Sequence, residues 1–316
     1  MNCLCCGRPL PATSETAGWH KSCIKRFFGT SVLPKIEITE HALELLVLEG
    51  IAKGVTVPGV QKKLSLQLMS EGHKPRLTLV NYPTGYILKP QVEQFTSLPE
   101  AEQLVMSMAD VAGIATVPHA LISTDGAKSY ITKRVDRIFS AASVQQLAME
   151  DFCQLDMRLT QDKYRGSYER CAVIIKRYSS RAQLDLTELY MRLIFCFVTG
   201  NSDMHLKNFS LIETEPGSNT YKLSPAYDLL PVNVVMPEDK EQTALTLNGK
   251  KSNIRKKDFL LFAERCGIES TPAQRMMQSV VSLQTKFISM CEDSYMPEGM
   301  KEALAALITE RCKVLQ

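Results

Sequence analysis

The stretch Gly200-Asn201-Ser202-Asp203-Met204-His205-Leu206-Lys207-Asn208-Phe209-Ser210 holds an acid and an amide in the pattern D-x-x-x-x-N. It follows an apolar helical segment and precedes a strand-like one. The pairing suits phosphoryl transfer: the acceptor hydroxyl needs a carboxylate to orient it and take its proton, and a nearby amide oxygen helps hold magnesium on the phosphates. Asp203 supplies the first group and Asn208 the second. Further on, Ser224-Pro225-Ala226-Tyr227-Asp228-Leu229-Leu230 offers Asp228 in an apolar frame, suited to chelating magnesium between phosphates. Alone, Asp203 reads as a cap and Asp228 as a turn residue. Together with further stations upstream, they read as a site.

Those stations occur in order. Gly54-Val55-Thr56-Val57-Pro58-Gly59-Val60-Gln61-Lys62-Lys63 is a loop entering a strand, with glycines where backbone amides approach phosphates. Pro58, Gly59, Val60, Gln61, Lys62 and Lys63 are its candidate nucleotide contacts. Lys89 ends the strand-like Tyr86-Ile87-Leu88 and precedes Pro90, so its ammonium can meet the α- and β-phosphates from a fixed place; a solvated strand-end lysine is the plainer alternative. Pro99-Glu100-Ala101-Glu102 opens a helix and offers Glu102 as partner to Lys89, although both acids also suit a helix N-terminus. Thr132-Lys133-Arg134-Val135-Asp136-Arg137 lies where a sheet-rich part gives way to a helical one. There the backbone of Lys133, Arg134 and Val135 can pair with adenine, or form a charged edge strand.

These side chains need a frame. Segments 63–68, 76–80, 85–89 and 129–133 are short, partly alternating and β-branched or aromatic, with Gly or Pro punctuation, and read as strands of a mostly antiparallel sheet. Residues 99–112 carry Leu104, Val105, Met108 and Val111 at helical spacing and end at Gly113. From Ser143 onward helical patterns dominate, over 184–199, 256–266, 272–290 and 298–313. The expected fold class is α+β, a small β-rich lobe followed by a larger α-helical lobe. Its expected divisions are residues 1–30, 31–137 and 138–316.

The 316 residues are 45% hydrophobic and 22% charged with 16 Gly and 15 Pro, which suffices for an ordinary core and excludes a disordered or fibrous chain. Lys+Arg 37 against Asp+Glu 34 leaves +3, so no strongly basic field serves bulk nucleic-acid or membrane binding. No apolar run approaches the roughly 20 residues of a membrane span, and MNCLCCGRPL lacks the layout of a secretory signal. A cytoplasmic location is expected. Of ten cysteines, Cys153, Cys171, Cys196, Cys266, Cys291 and Cys312 are scattered singly and read as reduced packing residues.

The other four lie within the first 23 positions. Cys3-Leu4-Cys5-Cys6 and Trp19-His20-Lys21-Ser22-Cys23 combine a C-x-x-C with an H-x-x-C, a set able to hold one zinc ion tetrahedrally through Cys3, Cys6, His20 and Cys23. A metal-free packed knuckle is the other reading, because Cys5 leaves the thiol pairing ambiguous. A catalytic metal is not expected there, since a closed four-ligand site leaves no position for water. His41, His73 and His119 have no partners at useful spacing and read as surface or packing residues.

With these motifs the chain resembles the HipA-type toxin serine/threonine kinases, and among them the shorter members called HipT, over nearly its whole length. The resemblance is carried by Pro58-Gly59-Val60-Gln61-Lys62-Lys63-Leu64-Ser65, Tyr86-Ile87-Leu88-Lys89-Pro90, the Glu102 helix, Lys133-Arg134-Val135-Asp136-Arg137, Glu150-Asp151-Phe152-Cys153-Gln154, the stretch 200–210, and Tyr227-Asp228-Leu229. Ordinary protein kinases read His-Arg-Asp and Asp-Phe-Gly at the two acidic stations. Here Asn-Ser-Asp and Tyr-Asp-Leu stand there, a departure typical of the HipA-like branch.

The resemblance implies a bilobal protein-kinase-like fold and an ATP- and magnesium-dependent kinase. Asp203 would be the catalytic base, Asn208 and Asp228 metal ligands, and Lys89 a phosphate contact, with His205 and Lys207 near the transferring group. It also implies autophosphorylation of a hydroxyl in the glycine-rich loop, matched here by Thr56, after which the loop leaves the nucleotide site. Placing about −1.5 to −2 charges there would repel the nucleotide phosphates. Pro58 removes the second acceptor that some relatives carry, and Ser65 belongs to a strand. HipT proteins carry a similar Cys and His pattern followed by Phe-Phe-Gly, here Phe27-Phe28-Gly29.

By the same resemblance the chain would be the toxin of a toxin–antitoxin system that phosphorylates a component of translation, with an aminoacyl-tRNA synthetase as the expected target. Longer HipA proteins place another N-terminal subdomain ahead of the kinase core. Little sequence precedes Gly54, so a separate small protein is expected to supply it, beside an antitoxin, a helix-turn-helix DNA-binding protein, or both. Two other readings stay open: a non-catalytic kinase-like scaffold with the cysteine knuckle as an interaction module, and a nucleotidyl transferase that moves the nucleotide part of ATP.

Overall fold

The structure, a computed structural model, describes residues 1–11, 17–37, 63–71, 74–79, 85–124, 126–139 and 144–316. The chain divides into two compact units, Met1–Gln103 with Pro118–Arg134, and Leu104–Val117 with Val135–Gln316.

In the first unit, helix α1 (Lys21–Phe28) is followed by strands β1 (Lys35–Glu37), β2 (Leu64–Glu71), β3 (Lys74–Leu79), β4 (Tyr86–Lys89), β5 (His119–Thr124) and β6 (Ala127–Lys133). They form a sheet of order β1-β3-β2-β4-β6-β5. β1 runs parallel to β3 and the other pairs are antiparallel. Register decides which side chains share a face, because partners directly opposite point the same way. Leu64 faces Leu88, Leu66 faces Tyr86, and Leu88 faces Ile131, so these buried side chains form one apolar surface. Lys89 is the next residue along β4 and pairs with Tyr130, on the opposite face.

Helix α2 (Leu98–Val111) starts in the first unit and passes the division after Gln103. Ala101, Val105, Met108 and Ala109 are buried on it, whereas Val111, assigned by its spacing to the apolar stripe, is exposed at the last turn. The helix stops where Gly113 takes a left-handed backbone (φ 78°) and Ile114 donates to the Ala109 carbonyl at 3.0 Å.

The second unit is mainly helical. Its β elements are the pair β7 (Arg137–Phe139) and β8 (Val144–Gln146), and a small antiparallel sheet ordered β11-β10-β9 from β9 (Met149–Asp151), β10 (Ser210–Glu213) and β11 (Tyr221–Leu223). Its helices are α3 (Phe152–Leu155), α4 (Tyr168–Tyr178), α5 (Ala182–Thr199), α6 (Val232–Val235), α7 (Lys256–Arg265), α8 (Ser270–Ser282), α9 (Gln284–Glu292) and α10 (Glu298–Leu315). α5 is the centre. Leu189, Tyr190, Leu193, Ile194, Phe195, Phe197 and Val198 are all buried, which is apolar surface on every side of the helix and needs neighbours all round. α4, α7, α8 and α10 supply them. Phe195 meets Phe287 edge-on at 6.0 Å and Phe197 meets Phe259 at 5.4 Å.

The six scattered cysteines are all buried and unbridged in the structure, in keeping with packing roles. The single helix expected over 272–290 is two helices, α8 and α9, broken at Leu283. Among the described residues no helix is long and apolar enough to cross a membrane.

Candidate active site

The acidic loop is launched by the end of α5. Gly200 adopts φ 71°, and the amides of Gly200 and Asn201 donate to the carbonyls of Phe197 and Cys196 at 3.3 and 2.8 Å, closing the helix in a left-handed turn. A side chain at position 200 would also overlap Leu307 Cδ2. Asn201 Oδ1 accepts the Asp203 amide at 3.2 Å, and the Asp203 carbonyl accepts the His205 amide and Asn208 Nδ2, both at 2.8 Å. A carbonyl only accepts, so the NH2 of Asn208 must face it and the Oδ1 must turn the other way, the polarity a cation ligand needs.

Asp203 is tied from a second segment. Tyr164 Oη donates to Asp203 Oδ1 at 2.7 Å. Burial raises the Asp203 carboxyl above the ordinary carboxylate range; the Tyr164 hydrogen bond and the Lys163 charge oppose the rise, while the charges of Asp228 and Asp239 add to it. Asp228 thus acts on Asp203 electrostatically. It sits in a left-handed backbone (φ 56°), a conformation uncommon outside glycine but tolerated by aspartate. Just before it, Ala226 is clamped on both sides: its amide donates to the Ala115 carbonyl at 2.7 Å and its carbonyl accepts Val117 at 3.0 Å.

Tyr227 links the two acidic stations. Its hydroxyl donates to the Lys207 carbonyl at 3.1 Å and, having spent its hydrogen there, accepts from Ser210 Oγ at 2.6 Å. Lys207 Nζ is 2.6 Å from Asp151 Oδ2. Asp151 also caps α3, accepting the Gln154 amide at 2.9 Å while Gln154 Oε1 accepts the Asp151 amide at 3.0 Å. The His205 side chain is buried, with Tyr164 edge-on at 5.0 Å. Hydrogen bonds therefore join Asp203, His205 and Asn208 in one group and Lys207, Tyr227 and Asp151 in a second, and the Asp228 charge reaches Asp203. Tyr164, Lys163, Tyr227 and Asp151 are members that spacing alone had not singled out for chemistry. Asp151 had a signal in its capping-box pattern with Gln154, whereas nothing near Tyr164 marks it.

In the first unit, Lys89 Nζ lies 2.5 Å from Glu102 Oε1, with the two side chains 3% and 0% exposed. It also lies 5.1 Å from the Tyr130 ring centroid. Glu100 lies toward Lys128 instead, at 3.7 Å. The Lys133 amide donates to the Pro118 carbonyl and the Arg134 amide to the Gly85 carbonyl, both at 2.9 Å, and the division between units falls between Arg134 and Val135. Lys63 is exposed just before β2. Thr56, Pro58, Gly59, Val60, Gln61 and Lys62 lie outside the described residues, as do His41 and His73. His119 is buried on β5 with its ring stacked on Tyr130 at 6.3 Å, and burial pushes its imidazole down to about 3. Cys3, Cys6, His20 and Cys23 place their ligand atoms within 4.8 Å of one another, leaving Cys5 out of the group.

Known proteins share this arrangement of elements. The chain is 27% identical over 274 residues to Putative kinase Y4mE of Sinorhizobium fredii, spanning 83% of this chain and 64% of that protein. It is also 27% identical over 295 residues to a Putative kinase of Haemophilus influenzae, spanning 83% and 82%. The chain thus spans less than two thirds of the length of Y4mE. Among solved structures, HipA from the Shewanella oneidensis MR-1 toxin–antitoxin complex of HipA, HipB and operator DNA superposes with a TM-score of 0.69 at 18% identity, over 82% of this chain and 64% of that one. The Helicobacter pylori proinflammatory kinase CtkA superposes with 0.54 at 14% identity, over 80% and 94%. Both share the α+β fold. Residues 55–287, from ahead of β2 through both acidic stations, match the HipA-like C-terminal domain, and the chain belongs to that family.

Proposed function

We propose that the chain is an ATP- and magnesium-dependent serine/threonine kinase, the toxin of a toxin–antitoxin pair. The observation that supports it best is that Asn208 is bonded to the Asp203 carbonyl and the Asp228 charge acts on the Asp203 carboxyl, which is itself partly desolvated and held by Tyr164. Magnesium, held by Asn208 Oδ1 and the Asp228 carboxylate, would neutralise charge on the phosphates. With Oδ1 occupied by Tyr164, Asp203 Oδ2 takes the proton of the acceptor hydroxyl as that oxygen bonds to the γ-phosphorus and the bond to the ADP oxygen breaks. A carboxylate raised by burial is a stronger base than an exposed one. Lys89, fixed by Glu102, takes the α- and β-phosphates. Lys207, fixed by Asp151, and His205 serve the transferring group. Because the amides of Lys133 and Arg134 are already engaged, adenine would use carbonyls of that segment or the amide of Val135.

The resemblance adds Thr56 as the autophosphorylated residue and an aminoacyl-tRNA synthetase as substrate. The Shewanella complex supports an antitoxin and a DNA-binding partner for this chain too. The test is intact mass and peptide mapping after incubation with ATP and Mg2+. One phosphate on Thr56 is expected, with none in Asp203→Asn or Asp228→Asn; phosphate in both variants would overturn the site. Transfer of label from the α-phosphate would instead favour the nucleotidyl transferase.

A further inference from the structure

Three thiols and an imidazole converge well away in sequence from the phosphoryl-transfer loops, ahead of residue 55 where the family match begins. Cys3 and Cys6 sit on a tight turn: the Cys3 amide donates to the Arg8 carbonyl at 2.8 Å, the Gly7 amide to the Cys3 carbonyl at 2.9 Å, and Gly7 takes φ 69°. His20 stands at the start of α1 and Cys23 within its first turn. Cys6 Sγ and Cys23 Sγ lie 3.4 and 3.9 Å from His20 Nδ1, and the His20 amide points at Cys3 Sγ at 3.4 Å.

The tautomer of His20 follows from its other nitrogen. Nε2 is 3.1 Å from the Pro9 carbonyl, which can only accept, so Nε2 carries the hydrogen and the Nδ1 lone pair faces the sulfurs. Metal-bound histidines have this outer-shell contact. Donors around a tetrahedral ion with bonds of about 2.3 Å lie about 3.8 Å apart, so the Cys6 and Cys23 sulfurs are near that spacing from His20 Nδ1 already and the widest pairs, within 4.8 Å, need to close by at most about 1 Å. Three thiolates and one imidazole favour zinc over hard cations.

The same knuckle touches both elements of the buried ion pair. The Leu4 carbonyl accepts the Leu121 amide at 2.8 Å, on β5. The Cys5 carbonyl faces Gln103 Nε2 at 3.4 Å, one residue after Glu102. Phe27 and Phe28 lie 6.0 and 5.5 Å from the Tyr86 ring, three residues before Lys89 on β4.

We propose that Cys3, Cys6, His20 and Cys23 bind one structural Zn2+, and that the closed knuckle holds β4 and the start of α2 where Lys89 meets Glu102. The kinase reading gives the pair its purpose but enters neither readout below. Elemental analysis of the untagged full-length protein should give one zinc per chain, lost in Cys6→Ser and in Cys23→Ser and kept in Cys5→Ser. The Co2+-loaded chain should show the visible bands of a tetrahedral, thiolate-rich site, which guards against variants that simply misfold. Removing zinc with a chelator should speed amide exchange in β4 and the first turn of α2 by about tenfold or more, the scale of a local opening made easier by about 1.4 kcal/mol, and re-adding zinc should reverse it. A full-length chain that takes up neither zinc nor cobalt overturns the site. Bound zinc whose removal leaves those amides unchanged overturns the coupling.

Discussion

As the proposed base, Asp203 would work only when ionised, and two opposing influences set where that happens. Burial raises its carboxyl and the Tyr164 hydroxyl, donating at 2.7 Å, pulls it back. Removing the donor in Tyr164→Phe should let the carboxyl rise further, so the acid limb of kcat/KM should move to higher pH while the alkaline side stays in place. A pH profile of phosphorylation checks this; a limb that stays put or moves down rules out the contact. Glu102 tests a different balance. Truncating one partner of a buried ion pair leaves a desolvated charge, so Glu102→Ala should lower stability by about 3–5 kcal/mol, whereas Lys89→Met with Glu102→Leu should recover most of it and still lose nucleotide binding. Urea midpoints and nucleotide titration separate the two. Lys89 and Glu102 were legible in the sequence because each stands at a recognisable element end. Tyr164 was not, since only the folding back of a polar turn brings it to an acid thirty-nine positions away.

At the scale of elements, the strongly periodic helices were legible and the strands of three residues were not. Residues 184–199 and 298–313 announce α5 and α10 because apolar positions repeat over several turns. β7, β8, β9 and β11 have three residues each, too few for alternation to register. The break at Leu283 was hidden because apolar residues continue at helical spacing on both sides of it. α5 matters through the glycine that caps it. Gly200→Ala should cost about 1–2 kcal/mol for the left-handed backbone and, by pushing on Leu307, displace Asn201 and Asp203 and lower kcat more than nucleotide affinity. Gly217→Ala provides the contrast: its φ is 73° but nothing lies within 4 Å of the added carbon, so stability should fall alone and phosphorylation stay unchanged. Equal loss of kcat in both would refute the steric account.

For the molecule as a whole, the family match ends at 287, yet α10, beyond it, packs on α5 and completes the core. Stability therefore depends on buried groups that no motif marks, and His119 is one whose effect has a definite sign. Its folded-state value is about 3 against an ordinary 6.5, because burial disfavours the imidazolium. Well above pH 6.5 neither state binds the proton and His119 contributes no pH dependence. As pH falls from 6.5 toward 3, the unfolded chain takes up a proton that the folded chain refuses, so stability drops by up to about 1.4 kcal/mol per pH unit. Carboxylates such as Asp156, held low by Arg170 and Arg158 against the cost of burial, add their own loss only at lower pH. The difference between the wild type and His119→Gln isolates the histidine: urea unfolding between pH 6.5 and 4.5 should show a shallower slope in the variant, whatever its absolute stability. Parallel slopes would mean that His119 takes up its proton in the folded chain, and that β5 opens to water there.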